Sequence, residues 1–198
     1  RKASVKSGLD WYANGKLSAH PYFCKGRHTF AVTLFSQWIE LLEVVMKALV
    51  CNEFGSAESL VIEDRETPAP GKGELLIDIK AAGLNFPDVL TVQGKYQITP
   101  DLPFVPGVES AGIVAAVGEG VTRFKVGDRV ISTIAIGAFA TACIAPEGVV
   151  MPMASNMTFE QAAGFCITYA TSYYAFKQRA QLKAGETVLV LGAAGGVG

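Results

Sequence analysis

Hydrophobic and polar positions along the chain predict a series of short strands. Residues 74–82 carry apolar and β-branched side chains in a partly alternating order, which is typical of a strand with one buried face. Similar short runs, separated by Gly and Pro residues, predict further strands at 46–51, 59–64, 111–117, 129–134 and 139–145. Many short strands at regular spacing indicate a β-rich, barrel-like domain.

Helical signals lie in two parts of the chain. Residues 85–92 predict a short helix, because Pro87 falls in the first turn, where proline is tolerated. Thr158 and Gln161 have the spacing of a capping box, and the Ala-rich and aromatic-rich sequence from there to residue 180 predicts more helix. The apolar run 186–191 then predicts a strand of the kind buried in a parallel sheet.

Composition and charge restrict the possible functions. Half of the 198 residues are apolar and 21 are Gly, which suits a packed protein with many turns. The formal net charge is −1 without a basic or acidic block, so neither a nucleic acid nor an anionic membrane has electrostatic support as a partner. The most apolar run, residues 29–50, contains Gln37, Glu40, Glu43 and Lys47 and does not predict a membrane span.

The cysteines predict neither a zinc knuckle nor a disulfide framework. Cys24, Cys51, Cys143 and Cys166 are far apart in the sequence, whereas knuckle ligands lie two to four residues from each other. Their number would allow two disulfides, but nothing resembling a signal peptide precedes them. Reduced thiols in a cytoplasm are therefore expected.

The glycine-rich loop at 192–198 has features of a dinucleotide-binding turn. Gly195, Gly196 and Gly198 would let backbone N–H groups approach a pyrophosphate, while Ala193 stands where the first glycine of the fingerprint usually lies. Tight turns also use glycine, so the loop gains weight only from the apolar run before it. The helix and the ribose-reading residue that would complete the fingerprint are expected beyond residue 198.

Five blocks of sequence resemble, in the same order, those of zinc-free quinone oxidoreductases (zeta-crystallin-like) of the medium-chain dehydrogenase/reductase superfamily. The resemblance covers essentially all of 46–198 and is carried by residues 83–88, 94–96, 103–112, 126–130 and 193–198. It implies an α/β protein with a β-rich, GroES-like catalytic domain, followed by the first strand and Gly-rich loop of a truncated Rossmann domain.

The resemblance also implies where the domains begin and end. The GroES-like domain would be 46–167, lacking its C-terminal return segment, and 168–198 would open the Rossmann domain. Residues 1–45 do not share this pattern, and we expect them to be read-through sequence before a start at Met46. Within them, residues 9–20 faintly resemble the C-terminal region of reductases of this family. An ordinary N-terminal extension is the alternative.

A comparison with the zinc-dependent branch of the superfamily predicts that no catalytic zinc is bound. Those alcohol dehydrogenases place a Cys where Asn85 lies, and a His next to their equivalent of Glu109, where this chain has Val108. Val cannot bind a metal, and an amide does not replace a thiolate. Hydride addition to a quinone or an enone suits such a site, because hydrogen bonds can stabilise the charge that develops on oxygen.

The resemblance implies that Asn85, Asp88 and Tyr96 line the catalytic cleft. Asn85 would donate an amide N–H to the nicotinamide or the substrate oxygen, and Tyr96 would donate its hydroxyl to the developing enolate or hydroquinone oxygen. The alternatives are a turn residue for Asn85, a packed loop aromatic for Tyr96 and an acid that favours the helix dipole for Asp88.

Cofactor contacts are implied for Asn85, Thr171 and the loop residues Ala194, Gly195, Gly196, Val197 and Gly198. The alternative for Thr171 is a helical threonine that donates to its own turn. Glu109 is interpreted as a buried structural acid paired with a cation, for example Arg129.

The function implied for the completed chain is NADPH-dependent, metal-independent reduction of quinones or α,β-unsaturated carbonyls. Its partner would be a small-molecule quinone or enone, not a nucleic acid or a membrane, and the complete protein would be a homodimer. The alternative is a non-catalytic fragment, or a structural or binding member of the family, since zinc-free members resemble crystallins. Residues 1–198 alone are expected to be inactive.

Overall fold

The computed structural model describes residues 45–198, and within this range it is rich in short strands, as predicted. The strands are β1 (Val45–Val50), β2 (Val61–Glu66), β3 (Glu74–Gly83), β4 (Glu109–Val117), β5 (Arg129–Thr133), β6 (Ala142–Pro146) and β7 (Val150–Pro152). The helices are α1 (Phe86–Val92), α2 (Phe159–Ala163) and α3 (Cys166–Tyr174), and a π-helical turn follows at Ala175–Arg179. The expectation for residues 1–45 falls, apart from Val45, outside the described residues.

Two antiparallel sheets organise these strands. One is the pair β1–β2, and the other has the order β6-β3-β4-β5-β7. The longest ladder joins β3 to β4, and its register places Gly83, the last residue of β3, opposite Glu109, the first residue of β4. This pairing sets the end of the sheet at which the candidate site is built.

The hydrophobic core follows the alternation read from the sequence. Leu75 and Ile77 are fully buried, and they pack with Val114, Val130, Cys143, Ala145 and Val150. A second cluster lies under α2, where Ala162 and Ala163 pack with Ala111, Ile131, Met153 and Cys166. Burial of these side chains holds α2 and the first residue of α3 against the sheet, because apolar burial stabilises by about 25 cal/mol per Å².

The helices confirm the sequence signals that predicted them. Thr158 accepts a hydrogen bond from the Gln161 N–H at 3.3 Å, and the Gln161 side chain accepts one from the Thr158 N–H at 3.0 Å. The long helical segment is interrupted at Gly164 and therefore forms α2 and α3 rather than one helix. α3 runs without a break across the domain boundary predicted at 167/168, and that boundary stays a prediction.

The strand predicted at 186–191 is wrong in this structure, because these residues join no ladder. Leu189 and Leu191 are 82% and 84% exposed, whereas the sequence pattern is that of a buried parallel strand. A strand needs a neighbour for its backbone hydrogen bonds, and no other described strand lies beside this segment. Of the helices in residues 45–198, none is long and apolar enough to cross a bilayer.

Gly112 in β4 offers a test of the central ladder. A Cβ at this position would overlap the carbonyl oxygen of Asp78 on β3, so we expect Gly112→Ala to lower the free energy of unfolding by about 2–3 kcal/mol. Urea denaturation measures the loss. Gly148→Ala is the matched control, because a Cβ there meets nothing within 4 Å. Equal stability of the two variants would contradict the close approach of β3 and β4.

Candidate active site

Asn85 is the N-cap of α1 and forms reciprocal hydrogen bonds with Asp88. The Asn85 backbone carbonyl accepts from the Asp88 N–H at 3.0 Å, and the Asp88 carboxylate accepts from the Asn85 N–H at 2.8 Å. Phe86 and Pro87 lie between them, and Pro87 has no N–H to satisfy in the first turn. The sequence therefore specifies both the start of α1 and the backbone position of Asn85.

Asp88 is enclosed by the protein. Its residue is 2% exposed, and its second carboxylate oxygen, Oδ1, has no hydrogen-bond partner among the described residues. Burial raises the pKa of this carboxyl, the Asn85 N–H opposes that shift, and the negative charge of Glu109 adds to it. These contacts make Asp88 a cap of α1, and a catalytic role for it remains a prediction.

Glu109 connects three elements at the end of the sheet. The residue is 1% exposed and begins β4. Its Oε1 accepts from the side-chain amide of Asn85 at 3.0 Å, and its Oε2 accepts from the backbone N–H of Ile167, in the first turn of α3, at 3.0 Å. A single carboxylate thus holds the start of α1 and the start of α3 to β4.

The ion pair expected between Glu109 and Arg129 is wrong. Arg129 lies opposite Ile113 in the β4–β5 ladder, four residues along β4 from Glu109. Its guanidinium donates to the carbonyl oxygens of Ser155 and Met157, at 3.4 and 2.7 Å, and lies 4.8 Å from the ring centre of Phe159. Glu109 is instead satisfied by two neutral N–H groups.

Gly83 makes room for this carboxylate. A Cβ on Gly83 would lie 2.6 Å from Oε1 of Glu109 and 2.5 Å from the carbonyl oxygen of Ala163. Since neither distance is compatible with a side chain, only glycine allows β3, β4 and α2 to meet here. The sequence marked Gly83 as the first residue of a family block, but not for this reason.

Tyr96 lies beyond the opposite end of α1. The helix ends at Val92 and is followed by Gly94, which has a φ of +65°, while the N–H groups of Gly94 and Lys95 donate to the carbonyl oxygens of Thr91 and Leu90. Tyr96 is half-buried, and its hydroxyl donates to no other described residue. The seven residues of α1 separate Asn85 from Tyr96 along the chain, and no hydrogen bond joins the two in the described part of the chain.

Thr171 lies on the exposed side of α3. Its hydroxyl donates to the carbonyl of Ile167 one turn earlier, which is the alternative arrangement considered for it. Thr171 also lines an apolar groove of about 800 Å³ beside α3, together with Thr133, Met151, Cys166, Tyr169 and Tyr173. Burial, with the nearby charge of Glu109, raises the pKa of the Cys166 thiol, so it is no activated nucleophile.

The glycine loop folds back on itself beside α3. Gly192 has a φ of +68°, and the Gly195 N–H donates to the Gly192 carbonyl at 3.0 Å. The hydroxyl of Ser172, next to Thr171, lies 3.1 Å from the Thr168 carbonyl oxygen in its own helix and 3.4 Å from the Val197 carbonyl oxygen in the loop, and its one hydrogen can be donated to either. The structure therefore brings the loop and the Thr171 region of α3 together, and Ser172 is a contact that the sequence reasoning missed.

Three consecutive N–H groups of the loop have no partner in the described part of the chain. The N–H groups of Gly196, Val197 and Gly198 donate to no described residue, and a Cβ on Gly196 would meet only the Thr168 side chain, at 3.9 Å. Free consecutive N–H groups suit an anionic ligand. Cofactor contacts by Ala194 and the rest of this loop stay a prediction.

Two other features were not readable from sequence. The N–H of Ile167 is a backbone group, and no side-chain pattern announces it. The donor role of the Asn85 amide toward Glu109 needs the β3–β4 register, which brings residues 24 positions apart into contact.

The fold and these blocks have known relatives. Residues 71–155 match the family description "Alcohol dehydrogenase GroES-like domain". A quinone oxidoreductase-like protein 2 homolog from Nematostella vectensis is 41% identical over 77% of this chain and 42% of its own length. The synaptic vesicle membrane protein VAT-1 homolog of Rattus norvegicus is 40% identical over 77% of this chain and 38% of its length. The chain thus spans less than half the length of these curated relatives.

Solved structures agree with the sequence relatives. A quinone oxidoreductase of Pseudomonas syringae pv. tomato superposes with a TM-score of 0.73 at 40% identity, over 77% of this chain and 47% of that one. A mycobacterial protein complexed with NADPH gives a TM-score of 0.71 at 39% identity, over 77% of this chain and 46% of that one. The β-rich part of this chain therefore has the GroES-like fold, and the chain belongs to the medium-chain dehydrogenase/reductase superfamily, among relatives named quinone oxidoreductases and VAT-1 homologs.

Proposed function

We propose that the complete protein is an NADPH-dependent, metal-independent reductase of quinones or α,β-unsaturated carbonyl compounds. The observation that carries this proposal is the half-buried carboxamide of Asn85, which Glu109 holds by a hydrogen bond. By the resemblance described above, zinc-dependent alcohol dehydrogenases have a cysteine at this position. Val108 stands beside Glu109 in place of a histidine. Hydrogen bonds are what such a site can offer to a reacting oxygen.

The choice of NADPH rests on relatives and on the loop. A relative of 39% identity has been solved with NADPH, and the loop at 195–198 has N–H groups that donate to no described residue. Asn85, Thr171 and the loop residues would hold the cofactor, which supplies a hydride when bound. Quinone oxidoreductases among the relatives support the substrate class.

The chain's own residues would handle charge and protons. Hydride addition to an enone or a quinone leaves negative charge on the carbonyl oxygen, and donors already in place stabilise it without reorganisation. Asn85 has one amide N–H left after its bond to Glu109. The Tyr96 hydroxyl, which donates to no described residue, would give the second hydrogen bond and then the proton.

The resemblance also implies an oligomeric state, a cellular location and a kind of partner for the complete protein. We propose a homodimer in the cytoplasm that takes a small-molecule substrate and needs neither a nucleic acid nor a membrane. No three His, Cys, Asp or Glu side chains gather as a metal site within residues 45–198, and metal independence is left to experiment.

NADPH oxidation by the full-length protein tests this proposal. We expect turnover with a simple quinone or a simple enone that is unchanged, within about twofold, after treatment with a strong chelator, because hydrogen bonds rather than a metal polarise the oxygen. The better substrate identifies the subclass. A folded protein that binds NADPH but reduces neither compound would contradict the substrate assignment, and loss of turnover with the chelator would contradict metal independence.

Tyr96→Phe tests the proton donor. The substitution removes only the hydroxyl, so we expect kcat to fall by about 10²-fold, in the range typical of general acids, while NADPH affinity and the urea midpoint stay unchanged. Stopped-flow turnover, fluorescence titration and denaturation give the three quantities. An unchanged kcat would show that water or another residue delivers the proton and that Tyr96 packs in its loop.

One observation favours a second candidate function for the 198-residue chain by itself. In this alternative the chain is a non-catalytic product. Val188, Leu189, Val190 and Leu191 are 42%, 82%, 47% and 84% exposed, just before the loop that would bind the cofactor. An apolar segment of this kind, without neighbouring strands, cannot hold the loop rigidly and favours association between molecules.

The isolated chain is therefore expected to bind NADPH poorly and to aggregate. Isothermal titration should show no heat of tight binding, and light scattering should show particles larger than a monomer or a dimer. Leu189→Lys with Leu191→Lys should reduce the scattering, because the charges oppose association of the exposed segment. Tight NADPH binding by a monodisperse 198-residue chain would contradict this second reading.

A further inference from the structure

We propose that Glu109 is a positioning residue, which sets the orientation of the Asn85 carboxamide and thereby decides which of its groups can meet a ligand. The inference rests on the proposed function for its catalytic readout, although the orientation itself can be measured without turnover. Glu109 contacts no ligand in this scheme and acts entirely through Asn85.

The orientation follows from the chemistry of the two groups. An ionised carboxylate only accepts hydrogen bonds, so the Asn85 atom 3.0 Å from Oε1 of Glu109 must be the amide nitrogen. Asn side chains are otherwise ambiguous, because oxygen and nitrogen can exchange places by a flip of the amide. Beside Glu109 the flip is prevented, since it would bring two acceptors together.

The position of the carboxylate is restrained at both of its oxygens. Its other oxygen accepts from the Ile167 N–H at 3.0 Å. The Cα of Gly83 lies against Oε1, where a Cβ would come within 2.6 Å. A rigid acceptor that cannot turn away holds its donor in one geometry, and the precision of that geometry matters for catalysis.

The remaining groups of Asn85 are then defined. Its side chain is half-buried, and its backbone N–H is taken by Asp88. One amide N–H is left for a ligand, because the carbonyl oxygen Oδ1 is directed at the backbone N–H of Asp88 in the capping box of α1. That N–H complements a ligand oxygen, and its direction is set by the bond of the same amide to Glu109.

Joining β4 to α3 does not by itself explain why residue 109 carries a charged carboxylate. A buried carboxylate without a cation loses its hydration, and neutral donors compensate for this only in part. Joining β4 to α3 requires one acceptor, which a glutamine would provide at no such cost. Two acceptors on one side chain are needed only because the Asn85 amide must be held at the same time as the Ile167 N–H.

Glu109→Gln is the decisive substitution, because it keeps the size of the side chain and replaces one acceptor by an NH₂ donor. Either the Ile167 N–H or the Asn85 amide must lose its acceptor, and a glutamine NH₂ facing Asn85 favours the flipped amide. Glu119→Gln, at an exposed glutamate, is the matched control and should behave as the wild type.

The experiment is a double-mutant cycle in the full-length protein with Asn85→Ala, Glu109→Gln and both together. We expect each single variant to lower kcat/KM by about 10- to 100-fold, since small misplacement near the chemistry has effects of this size. The double variant should be no worse than Asn85→Ala alone within about twofold, because Glu109 acts through Asn85. Losses that multiply in the double variant would overturn the proposal.

A spectroscopic measurement keeps the two proposals separate. In ¹⁵N-Asn-labelled protein, the side-chain amide signal of Asn85, assigned by its absence in Asn85→Ala, should exchange slowly with solvent in the wild type and quickly in Glu109→Gln. Signals that are the same in both would overturn the positioning role. A wild-type protein that neither binds nor consumes NADPH would contradict the proposed function, and the amide signal alone then decides on Glu109.

Discussion

The described part of this protein depends on one buried carboxylate that is satisfied by neutral donors. Glu109 joins β4 to the start of α1 through the Asn85 amide and to the first turn of α3 through a backbone N–H. Gly83, opposite it in the ladder, leaves room for this carboxylate because it has no side chain. The β3–β4 register thus brings Glu109 to the point where it holds both helices, and the candidate site is built around that carboxylate.

Under the proposed function, this arrangement would let hydrogen bonds take the place of a metal at the site. The resemblance to zinc-dependent alcohol dehydrogenases implies that those proteins have a Cys and a His, which are zinc-binding residues, at these two positions. Here an amide and an aliphatic side chain occupy those positions, and the neighbouring acid turns to the amide. The Glu109 carboxylate restricts the rotation of the Asn85 amide. A site that works through hydrogen bonds would need such a fixed donor, because no metal sets the geometry.

Sequence predicted much of this and failed where long-range contacts decide. Local signals gave α1 between Asn85 and Val92, the capping residues Thr158 and Gln161, and the alternation that buries Leu75 and Ile77. Residues 186–191 had the right pattern for a strand, but a strand forms only beside a partner. The partner of Glu109 was predicted as Arg129 because opposite charges attract, whereas the β4–β5 register places that cation beside Ile113. Neither the register nor the Ile167 N–H has a signature in the order of side chains.

Helix α1 also sets the spacing between Asn85 and the residues that follow Gly94. Its first residue follows a cap built by Asn85 and Asp88, and its end is fixed by the left-handed Gly94, so its length of seven residues is defined at both ends. Adding one residue to α1 would shift the residues directly after it, Tyr96 among them, by about 1.5 Å and rotate them by about 100° around the helix axis. An insertion in α1 would therefore misplace Tyr96 relative to Asn85, whereas an insertion after Tyr96 would leave the spacing between these two residues unchanged.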